Sequence, residues 1–222
     1  MGAYIEMYNL EKDYKSPYCY EDTYVLKNNL NIRDKEKLDI IEGVISLDRI
    51  TFLQENPMKG KFDVNHLMKI HKFIFRDIYP FAGKFRNEEI NKGGEFAPTY
   101  YLGESVKDLL GKLSKEKYLK GLDVDKTAEK LAYYMSELNF AHPFREGNGR
   151  TNREFIRTLA LKNGYKLDWD RIESNELLNA TIVGTRDYDL NPLTQLIRDC
   201  FVNKEPDKNI SKILNKGIEY ER

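Results

Sequence analysis

Apolar residues recur at helical spacing along most of the chain. Leu67, Ile70, Ile74 and Ile78 form one stripe; Leu131, Tyr134, Leu138 and Ala141 form another; Phe155, Ile156, Leu159 and Ala160 form a third. Read this way, the sequence predicts helices over about Lys35–Gln54, Val64–Ile78, Gly103–Leu119, Asp125–Phe140, Arg150–Leu161, Glu176–Ala180 onward and Pro192–Phe201. The linking segments are short and carry Gly, Pro, Asn or Asp, the residues that turns use. One stretch reads as strand instead: Gly93-Gly94 lies between Ile90 and Phe96 as a hairpin turn would. The pattern is that of an all-α single domain with one β-hairpin.

Composition narrows the function classes. The 222 residues can build one good-sized core. Lys plus Arg and Asp plus Glu number 36 each, so the net charge is zero. Nothing draws the chain to nucleic acid through bulk charge, and no apolar run approaches a membrane span. The opening Met-Gly-Ala-Tyr-Ile-Glu lacks the basic and apolar regions of a secretory signal, and Glu6 stands where myristoylation needs Ser or Thr. Cys19 and Cys200 make no disulfide framework, which favours a reducing cytoplasm and leaves open export as an effector. With three histidines, the chain has no zinc-site spacing.

The chemistry concentrates in His142-Pro143-Phe144-Arg145-Glu146-Gly147-Asn148-Gly149-Arg150-Thr151-Asn152-Arg153. Pro143 disfavours helical geometry at His142, so the preceding helix should end there. Gly147-Asn148-Gly149 lets backbone N–H groups turn toward an anion at the start of the next helix. Arg150 and Arg153 sit one turn apart, where guanidinium forks can clamp phosphate. Each piece alone is usually a helix end, a turn or a solvated face. Together they hold a proton acceptor, a ligand for a hard cation and a phosphate grip.

This stretch resembles the signature of the Fic family, His-x-Phe-x-(Asp/Glu)-Gly-Asn-Gly-Arg-x-x-Arg, with every specified position filled. The resemblance extends upstream, where residues 62–86 look like the family's helix ending in an aromatic-Ala-Gly-x-x-Arg turn, here Phe81-Ala82-Gly83-x-x-Arg86. It implies a Fic domain at 18–203, between an N-terminal extension (1–17) and a tail (204–222) with helical potential. It also implies AMP transfer from Mg-ATP to a Ser, Thr or Tyr hydroxyl of a target protein, with the chain itself as a further target. On this reading His142 is the general base and Glu146 holds Mg²⁺. Gly147, Asn148 and Gly149 form the anion hole, Asn148 through its side-chain amide, while Arg150 takes the β-phosphate and Arg153 the γ-phosphate. Removal of AMP, use of another nucleotide, and a non-catalytic toxin–antitoxin module are the alternatives.

The same resemblance makes the hairpin a flap, with Ile90, Asn91, Lys92 and Gly93 docking the target protein along an open strand edge. His71 reads as a packed or hydrogen-bonded residue and His66 as an exposed one near a helix start. Family members are restrained by a glutamate that pairs with the second arginine, here Arg153. Three leads exist: Glu55 in Thr51-x-x-x-Glu55-Asn56, Glu42 before Gly43, and the tail around Lys216-Gly-Ile-Glu219. An antitoxin partner or self-association is the remaining source of restraint.

Overall fold

The computed structural model describes residues 16–90 and 96–220. Eight α-helices run through the described residues: α1 Lys35–Glu55, α2 Val64–Phe75, α3 Thr99–Lys115, α4 Val124–Ala141, α5 Asn148–Lys162, α6 Ser174–Arg186, α7 Asn191–Cys200 and α8 Lys208–Lys216. Asp34, Asp63, Asp123 and Asp207 cap α1, α2, α4 and α8, each side chain accepting from a first-turn N–H. The predicted third helix begins earlier than its apolar stripe, directly after Pro98, and stops where Lys117, Tyr118 and Leu119 enter the left-handed region. A short 3₁₀ turn, Lys117–Leu119, follows.

Two helices organise the rest. α4 packs on α3, α5, α6 and α7, and α5 is covered in addition by α2 and α8. The consequence shows in α5, where every residue from Glu154 to Leu161 is buried, as expected of a helix enclosed on all sides. Its buried charges Glu154 and Arg157 satisfy each other, and Arg157 also donates to the Leu53 carbonyl (2.8 Å). The tail beyond α8 lies against the loop after α1: Ile218 pairs with Pro57 and Lys59, and Tyr220 packs on Phe73.

α1 turns Glu42 and Ser46 inward and leaves Ile40, Val44 and Leu47 exposed on its outer side. No helix among the described residues is long and apolar enough to cross a membrane.

The predicted hairpin is not borne out as a strand pair. Asn91, Lys92 and Gly93 lie outside the described residues, and on either side Arg86–Ile90 and Phe96–Pro98 contain no strand. Their hydrogen bonds go elsewhere. The Ala97 N–H donates to the Phe140 carbonyl (3.1 Å) and the Arg86 N–H to that of Pro143 (2.8 Å). The two sides are joined through side chains: Arg86 donates to the Ala97 carbonyl (2.5 Å), and the Glu89 carboxylate accepts from Thr99.

Candidate active site

α4 ends where Pro143 requires it to. His142 closes the helix in the left-handed conformation (φ 43°), its N–H still donating to the Leu138 carbonyl. Strain of this kind persists only when the surroundings hold it, and Arg86 does so. Its buried guanidinium donates to the carbonyls of His142 (2.8 Å), Ala141 (3.4 Å), Ala97 (2.5 Å) and Glu88 (3.0 Å). His142 Nδ1 lies 3.3 Å from the Asn139 carbonyl, which can only accept, so Nδ1 carries the proton and Nε2 is the basic nitrogen. The Phe96 ring stacks on the imidazole at 4.1 Å.

The loop from Phe144 to Gly147 is clipped shut by Asn148. The Phe144 N–H donates to its Oδ1 (2.8 Å), and its Nδ2 donates to the Phe144 carbonyl (2.7 Å). The amide oxygen and one N–H of its NH2 serve loop closure, which leaves the second side-chain N–H and the backbone N–H for an anion. Gly147 adopts φ 81°, and a Cβ there would meet the Phe75 ring at 2.2 Å, so glycine is required twice over. The first helical bond of α5 runs from Thr151 N–H to the Gly147 carbonyl, and no side chain caps the helix. The N–H groups of Asn148, Gly149 and Arg150 therefore face outward at the positive end of the helix dipole.

His71 connects this loop to α2. Its Nδ1 accepts from the Gly83 N–H (2.8 Å) and its Nε2 donates to the Glu146 carbonyl (2.9 Å), so both nitrogens are used and the ring is neutral. It stacks on Phe144 at 3.8 Å, and burial pushes its pKa down to about 4. The packed, hydrogen-bonded role read from the sequence is what the structure shows. His66 corrects its expectation. It is 2 % exposed, wedged between Phe62 and Phe155, with Nε2 3.2 Å from the Met58 carbonyl. Gly60 makes this possible, since a Cβ there would overlap the ring at 2.2 Å.

The charged residues divide in two. Glu146 Oε1 accepts from the Gly147 N–H (2.8 Å) and lies 3.6 Å from Arg150 Nη2. Arg150 bonds to Glu42, donates to Ser46 Oγ (2.8 Å) and lies over the Phe75 ring at 4.8 Å. Arg153 folds back over the first turn, its Nη1 3.5 Å from where a Gly149 Cβ would stand. Burial and then the Arg150 charge lower its pKa, and among the described residues no carboxylate pairs with it. None of the three leads for a restraining glutamate reaches it: Glu55 is exposed, Glu219 lies 3.6 Å from Lys59, and Glu42 binds the first arginine. Sequence reasoning gave no role at this site to Arg86, Tyr79, Phe96 or Arg145. Arg145, at an unspecified motif position, is buried against Glu88 (2.6 Å).

The chain matches the Fic/DOC family over residues 61–160. Among curated relatives, it is 42 % identical to the protein adenylyltransferase VbhT of Bartonella schoenbuchensis over 75 % of this chain, spanning 35 % of that protein's length. It is 33 % identical to the probable protein adenylyltransferase y4lH of Sinorhizobium fredii, over 86 % of this chain and 97 % of the relative. Among solved structures, the BepC effector protein of Bartonella tribocorum with bound AMPPNP superposes with a TM-score of 0.78 at 28 % identity, covering 86 % of this chain and 97 % of that one. Fold, loop and relatives agree: the chain belongs to the Fic/DOC family, alongside protein adenylyltransferases, a class of nucleotidyltransferase.

Proposed function

We propose that the chain transfers AMP from ATP to a hydroxyl side chain of a target protein, with its own hydroxyls as a second class of acceptor. The observation that carries this is a single loop, closed by Asn148 on Phe144, that joins a histidine with a basic Nε2 to a helix N-terminus flanked by two arginines. A binding module needs the second half of that arrangement but not the first. The nucleotide-bound relative BepC supports a nucleotide at this site.

The chemistry follows from the placement. His142 Nε2 takes the proton of the attacking hydroxyl, whose oxygen forms a bond to the α-phosphorus as the bond to the β-phosphate bridge breaks. The N–H groups of Asn148, Gly149 and Arg150 receive the phosphate oxygens, Arg150 holds the β-phosphate, and Arg153 holds the γ-phosphate. Glu146 suits Mg²⁺ because this ion is commonly held by one or two carboxylates together with the phosphates of its substrate. Bound there, Mg²⁺ would supply charge neutralisation for the departing pyrophosphate. The target docks at the segment containing Ile90, Asn91, Lys92 and Gly93. Restraint comes from outside the chain, by an antitoxin or by self-association; the support is an Arg153 without a carboxylate partner among the described residues.

The test is incubation with α-labelled ATP and Mg²⁺, with and without lysate, beside His142→Ala. Label on the chain or a lysate band that vanishes in the variant while ATP binding persists is the expected result. Identical labelling by both proteins would remove His142 from the reaction.

A further inference from the structure

The surroundings of Arg150 are more constructed than a phosphate ligand alone requires. α1 brings two side chains to it from a hundred residues away in sequence: Glu42, bonded to Nη2, and Ser46, whose Oγ accepts from Nη1 at 2.8 Å. Phe75 of α2 supports the guanidinium plane at 4.8 Å. Glu42 is itself held, because its second oxygen accepts from the buried Tyr79 hydroxyl. Glu42 is 8 % exposed, and both its carboxylate oxygens are engaged.

We infer that Glu42, with Ser46 and Tyr79, is a positioning group that fixes the Arg150 guanidinium for the β-phosphate of the nucleotide. This rests on the nucleotide site proposed above. Two physical points favour positioning over competition with the phosphate. A guanidinium has five N–H donors, and the α1 contacts engage Nη1 and Nη2 once each, so donors remain for a ligand. Arg150 and Arg153 also stand close enough for the charge of one to perturb the other. Two cations gathered ahead of any ligand repel, and a fixed anion behind Arg150 offsets that repulsion without covering Arg153. A carboxylate pinned at both oxygens on a helix is a permanent fixture, whereas one that yields to phosphate would need room to swing.

The experiment is calorimetric binding of adenosine, AMP, ADP and ATP by the full chain and by Glu42→Ala, Glu42→Gln and Tyr79→Phe, followed by transfer kinetics. Loss of one charge-assisted contact corresponds to about 10- to 100-fold in affinity. Glu42→Ala should weaken ADP and ATP by that factor and leave adenosine and AMP within about twofold, since those ligands have no β-phosphate. Glu42→Gln keeps an acceptor and should recover most of the loss. Tyr79→Phe should show the same selectivity at smaller size, which keeps the idea testable if the Ala variant does not fold. Tighter ATP binding or faster transfer by Glu42→Ala would make Glu42 a competitor and overturn the inference. So would an equal loss for all four ligands, the mark of a purely structural role, or wild-type binding that does not distinguish ADP from AMP. Selective ATP binding without transfer would instead remove the transferase reading and leave Glu42 in its place.

Discussion

Lowering the pH from about 7.5 to about 5 should destabilise this protein through two buried imidazoles. His66 and His71 each have a pKa pushed down to about 4, in both cases chiefly by burial. Around His71, the Glu146 carbonyl and charge oppose the shift and Arg150 reinforces it; around His66, the Met58 carbonyl and then Asp63 oppose and Lys69 reinforces. In the unfolded chain each titrates near the ordinary value of about 6.5. A depressed folded-state pKa means that the contribution is fully present above about 6.5, declines as the unfolded state takes up protons the native state refuses, and is fully lost near 4. At pH 5 the difference is about 2 kcal/mol per histidine, or about 4 kcal/mol for the pair. That is a large part of the roughly 5–15 kcal/mol that holds a typical domain together. Urea unfolding across the pH range measures it, with His66→Gln and His71→Gln as references that remove one titration each. Each variant should flatten the pH dependence by about 2 kcal/mol over the window. An unchanged slope in both variants, or imidazole NMR resonances that titrate near the unfolded value in the native protein, would refute the reasoning.

Two further outcomes follow from the loop. Gly147→Ala forces a side chain into the left-handed region and against Phe75, at a cost of about 3 kcal/mol. A loss of less than about 1 kcal/mol in the unfolding free energy from urea titration would show that the Phe75 contact yields, and nucleotide affinity measured on the same variant reports whether the α5 N-terminus moved. Arg86→Met strands the carbonyls of His142 and Ala97 and should cost about 3 kcal/mol. Transfer should then fall further than ATP binding, because the histidine, not the anion site, loses its support; equal losses in both would contradict that division.

The helices were legible because their apolar residues are periodic. α2, α4 and α5 repeat apolar residues at helical spacing, and Asp residues stand at four helix starts in positions that local chemistry explains. The predicted hairpin has no strand on either flank among the described residues; Gly93-Gly94 is a turn signal without information about its flanks. Arg86 and Glu89 link those flanks through side chains, and Ala97 pairs with α4. His66 was misread for a similar reason, as its exposure depended on Gly60, which lets a loop close over the ring.

The signature loop was readable by itself, since its working parts lie within twelve residues and their order carries the chemistry. The tertiary structure decided which role each part takes. Asn148 turns its amide to the loop because Phe144 is within reach, and Arg150 turns to α1 because Glu42 and Ser46 wait there. It also supplied Arg86, Tyr79, Phe75 and Phe96, which no local pattern connects to His142 or Arg150. Such partners come from packing between segments tens to a hundred residues apart. Sequence encodes that packing only through the shape of the whole core, whereas a loop and its adjoining helix ends are joined by the chain itself.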